Sequence, residues 1–365
     1  MGLGLLSLEV TMPTSRSAQR ILHRAIAALT LGVIGCTSTE VTGPSRDLRA
    51  SFSAISTVPS TTGFDMVDIG IGAYPTAINP SGAVVGGSKM PDGQYRGFLW
   101  RDGKLIDLGS LGGGWGEATG ISPSGDVVGR STTAQDESHA FIWRDGAMRD
   151  LGTLGAGSES GNSSYAAAIN PSGSVVGQST TADNQARAVL WRDGRPLDLG
   201  TLGGSSSTAT AIDAAGEVAG ASDTPDSYMA FLWKKGTMTG LGSLGGWSGA
   251  TGVANGYVVG NSVTTSGSVH AFLWHDGVMR DLGTLGGTNS FAFGVNVSGW
   301  VVGTSEMQSE DYTLHAFLWR DGHMIDLGTL PGGVASYATA ISPSGRIVGS
   351  SYATDGAHAV MWTPK

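Results

Sequence analysis

Seven tryptophans recur at nearly even spacing, at Trp100, Trp143, Trp191, Trp233, Trp274, Trp319 and Trp362, each within the same succession of short apolar runs and turn residues. No sustained helical period follows residue 64. Together these features predict an all-β fold, a seven-bladed β-propeller of four-stranded antiparallel blades. The chain ends supply a third observation. The last repeat stops just after Trp362 and lacks its Met-x-Asp-Leu-Gly segment, while Met66-Val67-Asp68-Ile69-Gly70 stands alone ahead of the first repeat. An N-terminal strand that completes the last blade would close the ring, whereas an open solenoid would need atypical capping repeats.

Each repeat can be read in order. Ala-x-Ala-Ile opens it as the innermost strand. Asn79-Pro80-Ser81-Gly82 and its copies then place Pro at the second position of a β-turn and Gly at its close. A second strand, Val-Val-Gly-x-Ser, leads through a stretch of variable length to a third, His-Ala-Phe-Leu-Trp. Arg101-Asp102-Gly103 and its copies form a short hairpin loop into the fourth strand, Met-x-Asp-Leu-Gly. Leu-Gly-Gly crosses to the next blade. All these runs are rich in Val, Ile, Phe and Trp and are too short for helices.

The composition excludes several classes. The 59 Gly and 13 Pro in 365 residues suggest disorder at first sight. Against that, 40% of residues are apolar and the net charge is only −9, so the glycines are assigned to repeated corners instead. One cysteine excludes an internal disulfide framework and a multi-cysteine metal site. The acidic balance argues against a nucleic-acid partner.

Arg16, Arg20 and Arg24 precede an apolar run from Ala25 that ends in Val33-Ile34-Gly35-Cys36. This reads as a secretory signal over residues 1–35, too short to span a bilayer. Val33-Ile34-Gly35-Cys36 resembles a bacterial lipobox, which implies cleavage before Cys36 and lipidation of that thiol. Thr37 rather than Asp follows, which implies the outer membrane. The Ser/Thr-rich residues 36–63 read as a tether, and 64–365 as the propeller.

His139-Ala140-Phe141, His270-Ala271-Phe272 and His315-Ala316-Phe317, with Trp-Arg-Asp-Gly and Asp-Leu-Gly-Thr-Leu-Gly-Gly, resemble the HAF repeats, a group described as probable extracellular repeats in bacteria. The resemblance covers roughly residues 64–365 and implies fold and compartment, without an activity. Arg96, Arg187 and Met229 replace the His, Gly240 replaces the Asp, and Lys234-Lys235 replace Arg-Asp.

Neither zinc, nucleophile-elbow, phosphate-loop nor calcium-loop motifs are present, so no catalytic residue, metal or cofactor is expected. The repeat histidines and the Asp-Leu-Gly aspartates recur round a ring and read as structural. The end of the propeller that carries the blade crossings and the second-to-third loops holds the length variation, and is therefore where binding is expected. Tyr74, Trp115, Tyr165, Trp247, Phe291 and Tyr337 stand ahead of the innermost strands, with Thr208 in the fourth blade and Glu117 among them. Exposed together, they would form an aromatic surface for a protein or glycan ligand. The variable-loop acids, among them Asp223 and Glu306, read as a solvated rim. Two other functions fit the same sequence. One is a polysaccharide hydrolase or lyase using Glu117 with Glu159, which needs a fixed carboxylate separation. The other is an adhesive module without a defined ligand.

Overall fold

The structure is a computed structural model that describes residues 57–59, 63–155, 162–308 and 313–365. Six consecutive four-stranded antiparallel sheets form blades 1 to 6, and a five-stranded sheet forms blade 7. Blade 1 runs Ala73–Ile78, Val84–Lys89, Tyr95–Arg101 and Lys104–Asp107, from the innermost strand outward. Blade 7 takes Ala335–Ile341, Ile347–Ala353 and Gly356–Pro364 from the C-terminus. Phe64–Ile71 then pairs with Gly356–Pro364, Met66 opposite Trp362. The seven-bladed propeller and its closure by an N-terminal strand are as the repeats imply. One boundary differs: Thr57–Pro59 pairs with Asp65–Val67 as a fifth, outermost strand, so the sheet begins inside the segment expected to be a tether.

The packing explains the doublet Val-Val. Seven apolar cores fill the seven interfaces between blades. Successive residues of a strand face opposite sides, so Val84 packs toward blade 7 and Val85 toward blade 2. The closing strand alternates likewise. Phe64 and Met66 pack with Leu318, Leu327 and Trp362, while Ile69 joins Ala73, Phe98 and Val348. Burying an aromatic such as Phe64 stabilises by about 2–3 kcal/mol, so this strand couples the blades on either side of the closure.

The corners follow from local chemistry. Asp102 and Gly103 have φ of 51° and 72°, and Arg101 pairs with Lys104 around them. That is the two-residue hairpin loop with both central residues left-handed, which Asp-Gly suits. Blade 4 puts Lys235 there, at φ 50°.

Every innermost strand carries a β-bulge: the register skips one residue at Thr76, Thr119, Ala167, Thr210, Thr251, Phe293 and Thr339. The bulge pushes the carbonyl two residues earlier toward the second strand. Only glycine leaves room for it: a Cβ on Gly86 would collide with the Tyr74 carbonyl, and one on Gly349 with that of Tyr337. This accounts for the repeated Val-Val-Gly. Five bulge residues are threonines whose hydroxyls donate to the next blade, from Thr76 to the Ala118 carbonyl at 2.8 Å through to Thr339 and the Pro75 carbonyl at 2.9 Å.

Buried serines complete the frame. Ser164 accepts from the Ala140 amide and donates to the Gly152 carbonyl, and Ser207, Ser248, Ser290 and Ser336 repeat that arrangement.

Candidate functional site at the crossing end

Two residues per blade meet at the crossing end. On each innermost strand the residue just inside the crossing is Tyr74, Glu117, Tyr165, Thr208, Gly249, Phe291 or Tyr337. Opposite it on the second strand stands the variable residue of Val-Val-Gly-x-Ser: Gly87, Arg130, Gln178, Ala221, Asn261, Thr304 or Ser350. The register therefore sorts the expected site residues. Tyr74, Glu117, Tyr165, Phe291 and Tyr337 are equivalent. Trp115 and Trp247 lie two positions earlier, on the first half of the long innermost strands Gly112–Ile121 and Gly245–Ala254. The expectation of an equivalent aromatic in six blades, with Thr208 in the fourth, is corrected accordingly: blade 2 has Glu117 at that place and blade 5 has Gly249.

Exposure divides the set further. Tyr74 is 37% exposed, and Trp115, Tyr165, Trp247 and Tyr337 are half-buried. Phe291 is buried, at 8%, and drops out of the exposed set. Its ring has no hydroxyl to keep in water, so full burial is its better state. Cys36 and Glu159 lie outside the described residues, as do Glu310 and Asp311.

Aromatic residues at this end fall into two groups, one on blades 7, 1 and 2 and a smaller one of Tyr165, Tyr228 and Trp247 on blades 3 to 5, where Tyr228 is 40% exposed. Tyr337 meets Tyr352 edge-on, with centroids 5.7 Å apart. Tyr95 lies over Gly87, the cross-strand partner of Tyr74. It also stacks with Trp115 at 6.3 Å and an interplanar angle of 14°. Burial raises the Tyr95 hydroxyl well above its ordinary value and pushes Tyr352 up to about 12, so both stay protonated at neutral pH. On blade 3, Tyr165 bonds hydroxyl to hydroxyl with Thr208 at 2.7 Å. Burial raises its titration too.

Among the seven cross-strand pairs, only Glu117 with Arg130 carries charge. Arg130 Nη2 lies 3.3 Å from Glu117 Oε2, and its guanidinium sits 4.8 Å from the Trp115 ring centre. Burial holds the Glu117 carboxyl above its usual range, partly offset by Arg130. The other polar residues of the second position brace the frame. Gln178 donates to the Ser207 carbonyl, Asn261 accepts from the Ala292 amide, and Thr304 donates to the Ser336 carbonyl.

Tyr95, Tyr352 and Arg130 were not singled out from sequence. Their signal was present: a variable position inside an otherwise repeated motif marks a side chain that the frame does not dictate. Two of the variable-loop acids depart from the expected solvated rim, while Asp136 and Asp226 are exposed. Asp223 accepts from the Ser206 amide, and Glu306 from the Thr288 and Asn289 amides. Both hold the crossing in place.

The repeat histidines have partners. His139, His270, His315 and His358 lie 2.6 to 3.0 Å from Asp150, Asp281, Asp326 and Asp68. Each of those aspartates also accepts the amide of the glycine two residues on. Where Arg96 and Arg187 replace His, they face Asp107 and Asp198. Among the described residues, no group of three or more His, Cys, Asp or Glu could hold a metal ion.

No protein-family model matches the chain, and no curated protein matches it. Solved structures do. The β-propeller domain of the trilobed protease from Pyrococcus furiosus, described as having an open velcro topology, superposes with a TM-score of 0.52 at 10% identity, over 80% of this chain and 96% of that one. A puromycin-hydrolyzing peptidase from Mycobacterium tuberculosis gives 0.51 at 12% identity, over 86% of this chain and 54% of that one. At such identities the likeness is one of architecture, and it places this chain among the β-propellers.

Proposed function

We propose that the protein is a non-catalytic binding module of the cell envelope, held to a membrane by lipid on Cys36, whose crossing end takes a protein or glycan ligand. The observation that carries this reading is the asymmetry of that end. Six of the seven cross-strand pairs are uncharged, and of the partly exposed aromatics Tyr74, Tyr95, Trp115, Tyr337 and Tyr352 lie on blades 7, 1 and 2, against Tyr165, Tyr228 and Trp247 on blades 3 to 5. The residue that the structure sets against Glu117 is Arg130. Arg130 pairs with that carboxylate while lying over Trp115, which ties both charges to one place at the mouth.

The test is capture. The full-length protein is presented to glycan and peptide arrays, beside a Tyr74→Ala, Tyr337→Ala double variant whose melting temperature is measured in parallel. The expected outcome is a bound class whose signal falls at least tenfold in the variant. Binding unaffected by both substitutions overturns the assignment of the site. Incorporation of labelled palmitate, lost on Cys36→Ser, is expected from the anchor.

A further inference from the structure

We infer that the ligand of the crossing end is a neutral glycan, bound by stacking and by uncharged hydroxyls across blades 7, 1 and 2. This inference rests on the binding role proposed above.

Three observations separate sugar from peptide and from acidic polymer. The first is the state of the main chain. An extended peptide is usually held by hydrogen bonds to a free strand edge. Here the carbonyls of Ala118, Ala166, Ala250, Ala292 and Pro75 already accept the threonine hydroxyls of the preceding blade. Asn261 takes the Ala292 amide and Gln178 the Ser207 carbonyl. Five of the seven innermost strands thus have an inner-edge carbonyl already taken, and a peptide adding along one of them would have to displace the neighbouring threonine.

The second observation is charge. Arg130 is committed to Glu117 and Trp115. Farther out on the same blades, Arg96 pairs with Asp92 and Asp107, His139 with Asp150, and His358 with Asp68 and Asp355. Cations and anions cancel locally, and the chain as a whole is acidic at −9. Among the described residues of these blades, exposed Lys89, at the end of the second strand of blade 1, stands outside these pairs. A polyanion would thus meet an isolated cation rather than a cluster, and the net negative charge would oppose its approach.

The third is what remains. Tyr74, Tyr337, Tyr352, Tyr95 and Trp115 offer partly exposed rings, and the four tyrosines set phenolic hydroxyls beside them. Such rings are apolar on the face and wet at the tip, which matches a pyranose with its apolar C–H face and its ring of hydroxyls.

The experiment titrates the full-length protein by calorimetry against neutral oligosaccharides, uronic-acid oligosaccharides and unstructured peptides, at 50 and 500 mM NaCl. Expected is binding of a neutral oligosaccharide that changes less than twofold with salt. Tyr74→Ala and Trp115→Ala should each weaken it at least tenfold, and Tyr74→Phe, which keeps the ring, by less than threefold. Matching melting temperatures exclude misfolding as the cause. Tighter binding of uronic-acid chains, or a steep salt dependence, overturns the inference. Peptide binding through the same residues overturns it while leaving the binding role intact. Binding to none of the three overturns both.

Discussion

His358 lies between two carboxylates, Nδ1 at 2.7 Å from Asp68 and Nε2 at 2.9 Å from Asp355. Asp68 is 290 residues earlier in the chain, on the strand that closes the ring. Burial lowers the imidazole's affinity for a proton, but its hydrogen bonds and the two negative charges prevail, so its pKa is raised above 6.5. A raised folded-state pKa contributes stability that is fully present below the unfolded value and is lost as pH rises through the folded one. Asp355 is lowered from 3.8 by its bond to His358, so its share is present above that value and lost as pH falls through the depressed one. The closure is therefore strongest in mildly acidic solution. Against His358→Gln, the native chain should be more stable by about 2 kcal/mol at pH 5.5, with the gap shrinking toward pH 9. Urea melts at both pH values measure it, and a gap that does not move with pH contradicts the assignment.

The glycine of Val-Val-Gly is set by the bulge opposite. On Gly220 a Cβ would strike the Thr208 carbonyl and approach the Phe231 ring within 2.9 Å. Gly220→Ala should cost about 1–3 kcal/mol as overpacking. Thermal denaturation of Gly220→Ala beside the native chain checks this, and an unchanged midpoint would mean that the bulge is not fixed.

Thr339 carries the last link of the threonine ring, with its hydroxyl shared between the carbonyls of Pro75 and Val348. Thr339→Val keeps the shape and removes both bonds, at an expected cost of about 1–2 kcal/mol. Thr339→Ser should recover part of that loss. Hydrogen exchange of the closing strand, Phe64–Ile71, should accelerate in the Val variant and less so in the Ser variant.

Blade 4 departs from the His–Asp pattern at both partners together. A Cβ on Gly240 would lie 2.8 Å from Met229 Sδ. Gly240→Asp alone should destabilise, by pressing a carboxylate on a thioether. Combined with Met229→His, it should rebuild the pair seen in blade 2. A favourable coupling of about 1–2 kcal/mol is expected from the double-mutant cycle, and additive effects would show that the two positions do not communicate.

The frame was readable because its signals are local and repeated. Asp102-Gly103 specifies its own loop, and the stray Met66 to Gly70 segment names its missing partner. The bulge was not readable, since Thr76 looks like any strand residue and only the enforced Gly86 reports it. The site was half readable. Tyr74, Glu117, Tyr165 and Tyr337 occupy equivalent places, but Trp115 and Trp247 were misregistered because a glycine-rich crossing has no side chains to fix its length. Thr57–Pro59 escaped notice because a three-residue edge strand carries too little pattern.

The two residues that each blade sends to the crossing end rest on contacts made by other atoms: a bulged carbonyl, a glycine without a Cβ, a threonine hydroxyl on the neighbour. Exchanging Glu117 and Arg130 for Tyr165 and Gln178, or for Gly249 and Asn261, leaves the bulge and its glycine in place and changes only the cross-blade bonds that these side chains make. The mouth is thus written as seven separate two-letter words on a page that does not change. Duplication of a blade followed by drift at two sites changes the chemistry of the mouth while the bulge and its glycine keep the strands in register, at the cost only of cross-blade bonds such as those of Gln178 and Asn261.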